Sequence, residues 1–148
     1  MEVFLRAAEE RDAEKLLAWR NDPVTRLNSL SQLQISQEHH EHWLRSVLGS
    51  SDSVLLIGEI DGITVGVVRL DWQPERDACH ISFTVAPEHR GKSYGLAIVR
   101  HALKDIRNAR VYAAVKISNS ASRRLLQKLE FELIDSQGEL LTYAKDIF

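Results

Sequence analysis

The stretch FTVAPEHRGKSYGLAIVRHAL, residues Phe83–Leu103, decides the fold. It begins as an apolar strand pattern, stops at Pro87, crosses a basic turn with two glycines, and resumes at helical spacing. A strand that feeds a helix through such a turn belongs to the α/β class. The helix start leaves backbone N–H groups without intrahelical acceptors and carries the positive end of the helix dipole. Gly91 and Gly95 let a ligand approach the backbone, and Arg90 and Lys92 add positive charge. Such a turn suits phosphates, above all a pyrophosphate. Taken alone, it fits an ordinary strand–helix connection equally well. The dinucleotide pattern G-x-G-x-x-G and the Walker pattern are both absent.

The flanking sequence extends the α/β pattern. Val3–Ala7 reads as a first strand, and RDAEKLLAWRND as a helix with Asp12 as N-cap, broken by Pro23. TRLNSLSQLQ reads as loop or irregular helix. Ser36 caps the next helix, Trp43, Leu44, Val47 and Leu48 line one side of it, and Gly49 ends it. Asp61-Gly62 and Gln137-Gly138 mark two hairpins. Strands DACHISFTVAP and ARVYAAV, a helix from about Lys92 to Arg107, and the helix NSASRRLLQKLEF complete the order β-α-α-β-β-β-α-β-α-β-β. With no repeat, linker or shift in composition, residues 1–148 read as a single α/β domain.

A net charge of −2 argues against nucleic acid and anionic membranes as partners, so anion binding must be local. Cys79 is the only cysteine, which excludes an internal disulfide and fits a reducing compartment. The charged N-terminus is no signal peptide, and no run is apolar enough to span a bilayer. The expectation is a cytoplasmic protein. In EHHEHW, His39 and His42 share a helix face, but neither a cysteine cluster nor H-E-x-x-H accompanies them, so no metal is expected.

VAPEHRGKSYGLAIV resembles the acetyl-coenzyme A motif of the GNAT N-acetyltransferases, whose core reads Gln/Arg-x-x-Gly-x-Gly/Ala. Arg90 and Gly95 match its ends, and Ser93 replaces its middle glycine. NSASRRLLQKLEF is similar to the family's Asn-x-x-Ala/Ser…Lys-x-Gly-Phe segment through Asn119, Ser122, Lys128 and Phe131, with Glu130 in place of glycine. GEIDGITVGVVRLD resembles the family's central hairpin. The resemblance implies a mixed, twisted sheet of about seven strands with four helices and a splayed central strand pair. It also implies acetyl-coenzyme A as co-substrate. Backbone groups of Phe83 and Val85 would meet the pantetheine arm. N–H groups from Arg90, Gly91, Lys92, Ser93, Tyr94 and Gly95 would hold the pyrophosphate. Asn119 and Ser122 would contact the far side of the cofactor, and Arg123 would reach the adenosine or remain solvated. At Ser93 a negative φ is favoured, since serine suits a helix start and its hydroxyl could then donate to a phosphate. Family members are often dimers, which makes a homodimer the expectation here.

The chemistry implied is direct attack by an amine within a ternary complex, with the Val85 N–H facing the developing oxyanion. His80 and Ser82 share a strand face opposite Cys79, so an adjacent Cys–His pair is rejected. Histidine titrates near neutrality, which suits His80 as base; a partly exposed strand histidine is the plainer reading. Glu59 is a further candidate base, and Tyr143 a candidate acid. Many family members carry a tyrosine acid where Leu126 stands, and some a glutamate base where Ala114 stands.

For the acceptor, LLAWRNDPVTR and ISQEHHEHWL resemble a GNAT subgroup that acetylates nucleotide-linked amino sugars, including those of the pseudaminic acid route. The matching residues are Trp19, Arg20, Asn21, His40 and Trp43. Aromatic faces stack on sugars or bases, and cations meet phosphates. Core packing for Trp43 and a surface charge for Arg20 are the structural alternatives. Protein or peptide N-terminal amines, small antibiotics or polyamines, and a non-catalytic acyl-coenzyme A module are the competing readings.

Overall fold

The computed structural model describes residues 1–148. In chain order the elements are β1 Val3–Ala7, α1 Ala13–Asn21, α2 Pro23–Asn28, α3 Gln37–Leu48, β2 Ser53–Ile60 and β3 Ile63–Gln73. β4 Ala78–Val85, α4 Tyr94–Leu103, β5 Ala109–Lys116, α5 Ser120–Lys128, β6 Glu132–Gln137 and β7 Leu140–Ile147 follow. The strands form one seven-stranded sheet in the order β1-β2-β3-β4-β5-β7-β6. Every pairing is antiparallel except β4–β5, which is parallel.

Local chemistry explains the boundaries. Asp61 and Gly62 have φ of +50° and +82°, the pair of left-handed residues that a tight hairpin demands. The Asp22 carboxylate accepts from Val24 and Thr25 N–H, both at 3.1 Å, and Pro23 opens α2. α2 is a fifth helix, inside a segment the sequence pattern left irregular. α4 stops at Leu103 rather than Arg107, because Ile106 turns into the core and Asn108 adopts a φ of +52° to enter β5. Asp12 is buried but does not cap α1 through its side chain: its oxygens bind the Arg6 guanidinium at 2.8 and 2.9 Å and the Glu9 N–H at 2.8 Å. On α3 the buried line is His40, Leu44 and Val47, while Leu48 faces solvent and Trp43 is half-buried.

Two apolar clusters sandwich the sheet. α4 and α5 cover one face with Ile98, Val99, Ala102, Leu126 and Leu129 over Val68, Cys79, Ile81 and Val111. α1 and α3 cover part of the other, with Leu16, Trp19, Leu44 and Val47 against Leu55 and Ile57. Gly58 and Gly66 are neighbours in the β2–β3 ladder. A Cβ on Gly58 would lie 2.7 Å from Ile98 Cγ2, and one on Gly66 would lie 2.4 Å from the Thr84 carbonyl oxygen. The two glycines leave a trough that receives Ile98 and seats α4 across the central strands. No helix is long and apolar enough to cross a membrane.

Candidate active site

The parallel pairing of β4 with β5 covers only Ala78–His80 against Arg110–Tyr112. Beyond those three positions the strands part. The hydrogen-bonding phase of β4 shows what this opens. Ala86 N–H donates to Val65 O at 2.7 Å, so Val85 and Gly66 form a pair whose own polar groups point away from each other. The same phase holds at Phe83. Backbone groups of Phe83 and Val85 therefore point into the gap, toward the side where β5 no longer answers them.

The gap runs to the turn before α4. The N–H groups of Gly91, Lys92 and Ser93 have no acceptor within the protein. Those of the first helical turn add to them. Gly91 has a φ of +79°, which makes glycine the natural residue there. Ser93 has a φ of +62°, not the negative value favoured from sequence, and its side chain makes no capping hydrogen bond. The family's glycine geometry is kept and serine bears a strain of roughly 1–2 kcal/mol. Glu130, the second residue in place of a family glycine, repeats this at φ +65°. There Phe131 N–H reaches Leu126 O and Glu130 N–H reaches Gln127 O, both at 3.0 Å, which closes α5 in a Schellman turn.

Gly95 serves packing. A Cβ there would lie 3.2 Å from both Leu125 Cδ1 and Val85 Cγ2, so the missing side chain draws α4 onto β4 and α5. Arg90 turns away from the loop: its Nη2 donates to Asp22 Oδ2 at 2.7 Å and to Thr25 Oγ1 at 2.9 Å. At the start of α5, Asn119 Oδ1 accepts from Ser122 N–H at 3.2 Å. Arg123 donates to Ile117 O at 2.9 Å and so braces the β5–α5 turn.

The opposite face of β4 carries exposed His80 and Ser82, while Cys79 is fully buried behind them. Burial pushes the Cys79 thiol up to about 12, which leaves it protonated and unreactive at neutral pH. Across the β3–β4 ladder, His80 faces Asp71 and Ser82 faces Arg69. The His80 ring stacks on Tyr112, with centroids 5.2 Å apart and planes 24° from parallel, at the position where β4 and β5 separate. Arg69 bridges Asp71 at 3.0 Å and lies 5.6 Å from the Trp43 ring centroid. Arg69 and Asp71 both belong to β3.

Two candidates fall outside this group. Glu59 lies opposite Thr64, seven residues along β3 from Asp71, or about 23 Å from the His80 row. Its carboxylate pairs with Arg6 at 3.5 Å. Tyr143 is buried in the core among Leu126 and its neighbours, on the face away from His80. The expected set of four is therefore not a constellation: only His80 and Ser82 come together.

The sequence matches the acetyltransferase (GNAT) domain family over residues 2–132. The chain belongs to the GNAT acetyltransferases. By family it is an N-acetyltransferase. Among curated proteins none matches the sequence. Solved GNAT-type structures match over nearly the whole chain. A ribosomal-protein-alanine N-acetyltransferase from Brucella melitensis superposes with a TM-score of 0.79 at 22% identity, covering 97% of this chain and 99% of that one. A putative acetyltransferase from Salmonella typhimurium with its cofactor acetyl-CoA gives 0.76 at 20%, covering 100% and 95%. An aminoglycoside acetyltransferase in complex with coenzyme A gives 0.81 at 19%, covering 98% and 95%. These likenesses establish the GNAT fold.

Of the four residues read from sequence as acceptor ligands in this GNAT chain, Arg20 and Asn21 are hydrogen-bonded within the protein. Arg20 donates to Ser29 Oγ at 3.3 Å and Ser31 O at 3.2 Å. Asn21 clamps Ile35 through both its backbone N–H and its carbonyl, each at 2.8 Å. Together they fasten the loop between α2 and α3. His40 is buried and tilted 5.2 Å from Trp43. Burial lowers its pKa, and nearby Arg20 lowers it further against the pull of Glu41. A neutral, buried imidazole is a poor phosphate ligand. Trp43, half-buried, is the one of the four with an accessible ring. Tyr112, Arg69 and Asp22 were missed as site residues. Each is marked by a partner distant in sequence: His80 for Tyr112, Trp43 for Arg69 and Arg90 for Asp22.

Proposed function

We propose that the acceptor is a primary amine on a phosphate-bearing, nucleotide-linked amino sugar. The observation that carries this reading is unneutralised positive charge beside the gap. Arg20, Arg26 and Lys116 converge on the α2–α3 loop, donating only to hydroxyl or carbonyl groups of Ser29, Ser31, Gln32 and Leu27. None has a carboxylate within 4.0 Å, whereas Asp22 and Asp71 are each held by an arginine. Such a rim attracts an anionic acceptor and repels a polyamine or aminoglycoside. Trp43 and Tyr112 offer ring faces for a sugar or base.

In this reading residues 1–148 act as one domain that binds both substrates. Phe83 and Val85 hold the pantetheine arm, the N–H groups of Gly91–Gly95 hold the pyrophosphate, and Asn119 and Ser122 flank it. Acetyl-coenzyme A supplies a thioester to the amine, which attacks it directly. The Val85 N–H, which points into the gap, would face the carbonyl oxygen, where a fixed donor stabilises developing charge. His80, with Ser82 beside it, stands five residues or roughly 16 Å along β4 from Val85, so it takes the amine proton through a chain of waters rather than directly. Water protonates the leaving thiolate, since Tyr143 points away.

A second reading, an N-terminal peptide amine, is favoured by the exposed Leu27 at the end of α2 and the exposed Leu30 and Leu33 on the loop that follows. Thiol release measured over nucleotide-linked amino sugars, acidic peptides and spermidine separates the readings. Turnover of the sugar is expected. Turnover of peptides alone would replace the first reading with the second, and turnover of spermidine alone would overturn both.

A further inference from the structure

Residues 90–93 form a loop that does little to hold itself in shape. Gly91 and Ser93 are both left-handed, at φ +79° and +62°, and no N–H from Gly91 to Ser93 bonds within the protein. Two anchors fix it. At its end, Gly95 is pressed between Val85 and Leu125. At its start, the Arg90 guanidinium crosses to Asp22 and Thr25, 68 and 65 residues away in sequence. The Asp22 oxygen that takes Arg90 is the one that accepts from Val24 and Thr25 N–H. One carboxylate therefore fixes both the first turn of α2 and the entrance to the loop. Burial pushes the Asp22 pKa up, but hydrogen bonds from Arg90, Thr25 and Val24 outweigh it and hold the carboxyl below its usual range. Asp22 stays ionised at neutral pH, and its side chain is only 16% exposed.

We propose that Asp22 is a positioning residue for the pyrophosphate loop, and that its pairing with Arg90 couples the acceptor-side helix α2 to coenzyme A binding. This rests on the reading that residues 90–95 receive the pyrophosphate. The carboxylate acts through Arg90 and never touches the cofactor. Two consequences follow. Removing the charge of Asp22 weakens coenzyme A binding, although it deletes a negative charge near an anion site and electrostatics alone would strengthen it. Coenzyme A binding also steadies the start of α2, because coupling between two sites is reciprocal.

The test is calorimetry of coenzyme A with the full chain and with Asp22→Asn, Arg90→Gln and the double variant. Hydrogen exchange at the Val24 and Thr25 amides is followed alongside. Each single change is expected to raise Kd about five- to tenfold, and the double to be no worse than the weaker single, as for two halves of one interaction. Coenzyme A should slow exchange at Val24 and Thr25 in the unaltered protein and not in Arg90→Gln. Thr25→Val, which removes only one acceptor of Arg90, guards against misfolding of the charge variants and should raise Kd about two- to threefold. Unchanged or tighter binding by Asp22→Asn, or additive losses, would overturn the coupling. Absence of any heat with the unaltered protein would instead overturn the reading of the loop.

Discussion

Along β4 adjacent side chains live in two environments. Cys79 and Ile81 lie under α4 and α5, sealed in the main core. His80 and Ser82, one residue away in each case, stand exposed on the side where α1 and α3 leave the sheet partly uncovered. The pleat makes this division, but its use differs on the two faces. The α4–α5 face is spent on packing: even the one thiol is buried there, and the family's tyrosine position is filled by fully buried Leu126. The other face has imidazole, hydroxyl, guanidinium and aromatic groups in cross-strand register. A strand in the middle of a sheet can thus hold the fold with one side and present chemistry with the other.

The sharpest way to break this comparison is to truncate one side chain on each face. Leu126→Ala is expected to cost about 2–5 kcal/mol of stability in chemical denaturation, as buried leucine truncations do. His80→Ala should leave stability within about 0.5 kcal/mol and lower kcat by about 100-fold if it serves as base. Equal losses of stability for the two would erase the distinction between the faces. Retained activity in His80→Ala would leave the exposed face without its base. A smaller effect sharpens the glycine question. Ser93→Gly and Glu130→Gly each relieve a left-handed non-glycine residue, offset in part by a freer unfolded chain, for a net gain of about 0.5–1 kcal/mol. A loss at Ser93 would mean that its hydroxyl supports the loop in a way its geometry does not reveal.

Signals carried by a few adjacent residues were legible in the sequence. Asp61-Gly62 named its hairpin, Ser36 its helix cap, and the Phe83–Leu103 stretch its strand–turn–helix. The alternation that sets His80 apart from Cys79 was equally local. What escaped was everything fixed by long-range register. The short turn between β3 and β4 decides that Asp71 meets His80, and the parallel crossover decides that Tyr112 stacks on it. The Arg90–Asp22 pair joins residues 68 apart, so the guanidinium read as a loop charge is in fact a tether. The sign of φ at Ser93 failed for a related reason: serine's local preference favours an ordinary cap, and the trajectory from β4 into α4 overrides it. Arg20 and Asn21 were read as ligands because their chemistry suits a nucleotide, yet their hydrogen bonds close a loop that sequence alone does not reveal.

The central claim is that the parted β4 edge and the free N–H groups before α4 form one cradle for acetyl-coenzyme A. An amide NMR titration with coenzyme A tests it directly. The amides of Phe83, Val85, Gly91, Lys92 and Ser93 are expected to shift together along a single saturation curve, with those of β1 and β6 unmoved. Saturable binding that leaves these five amides in place would contradict it.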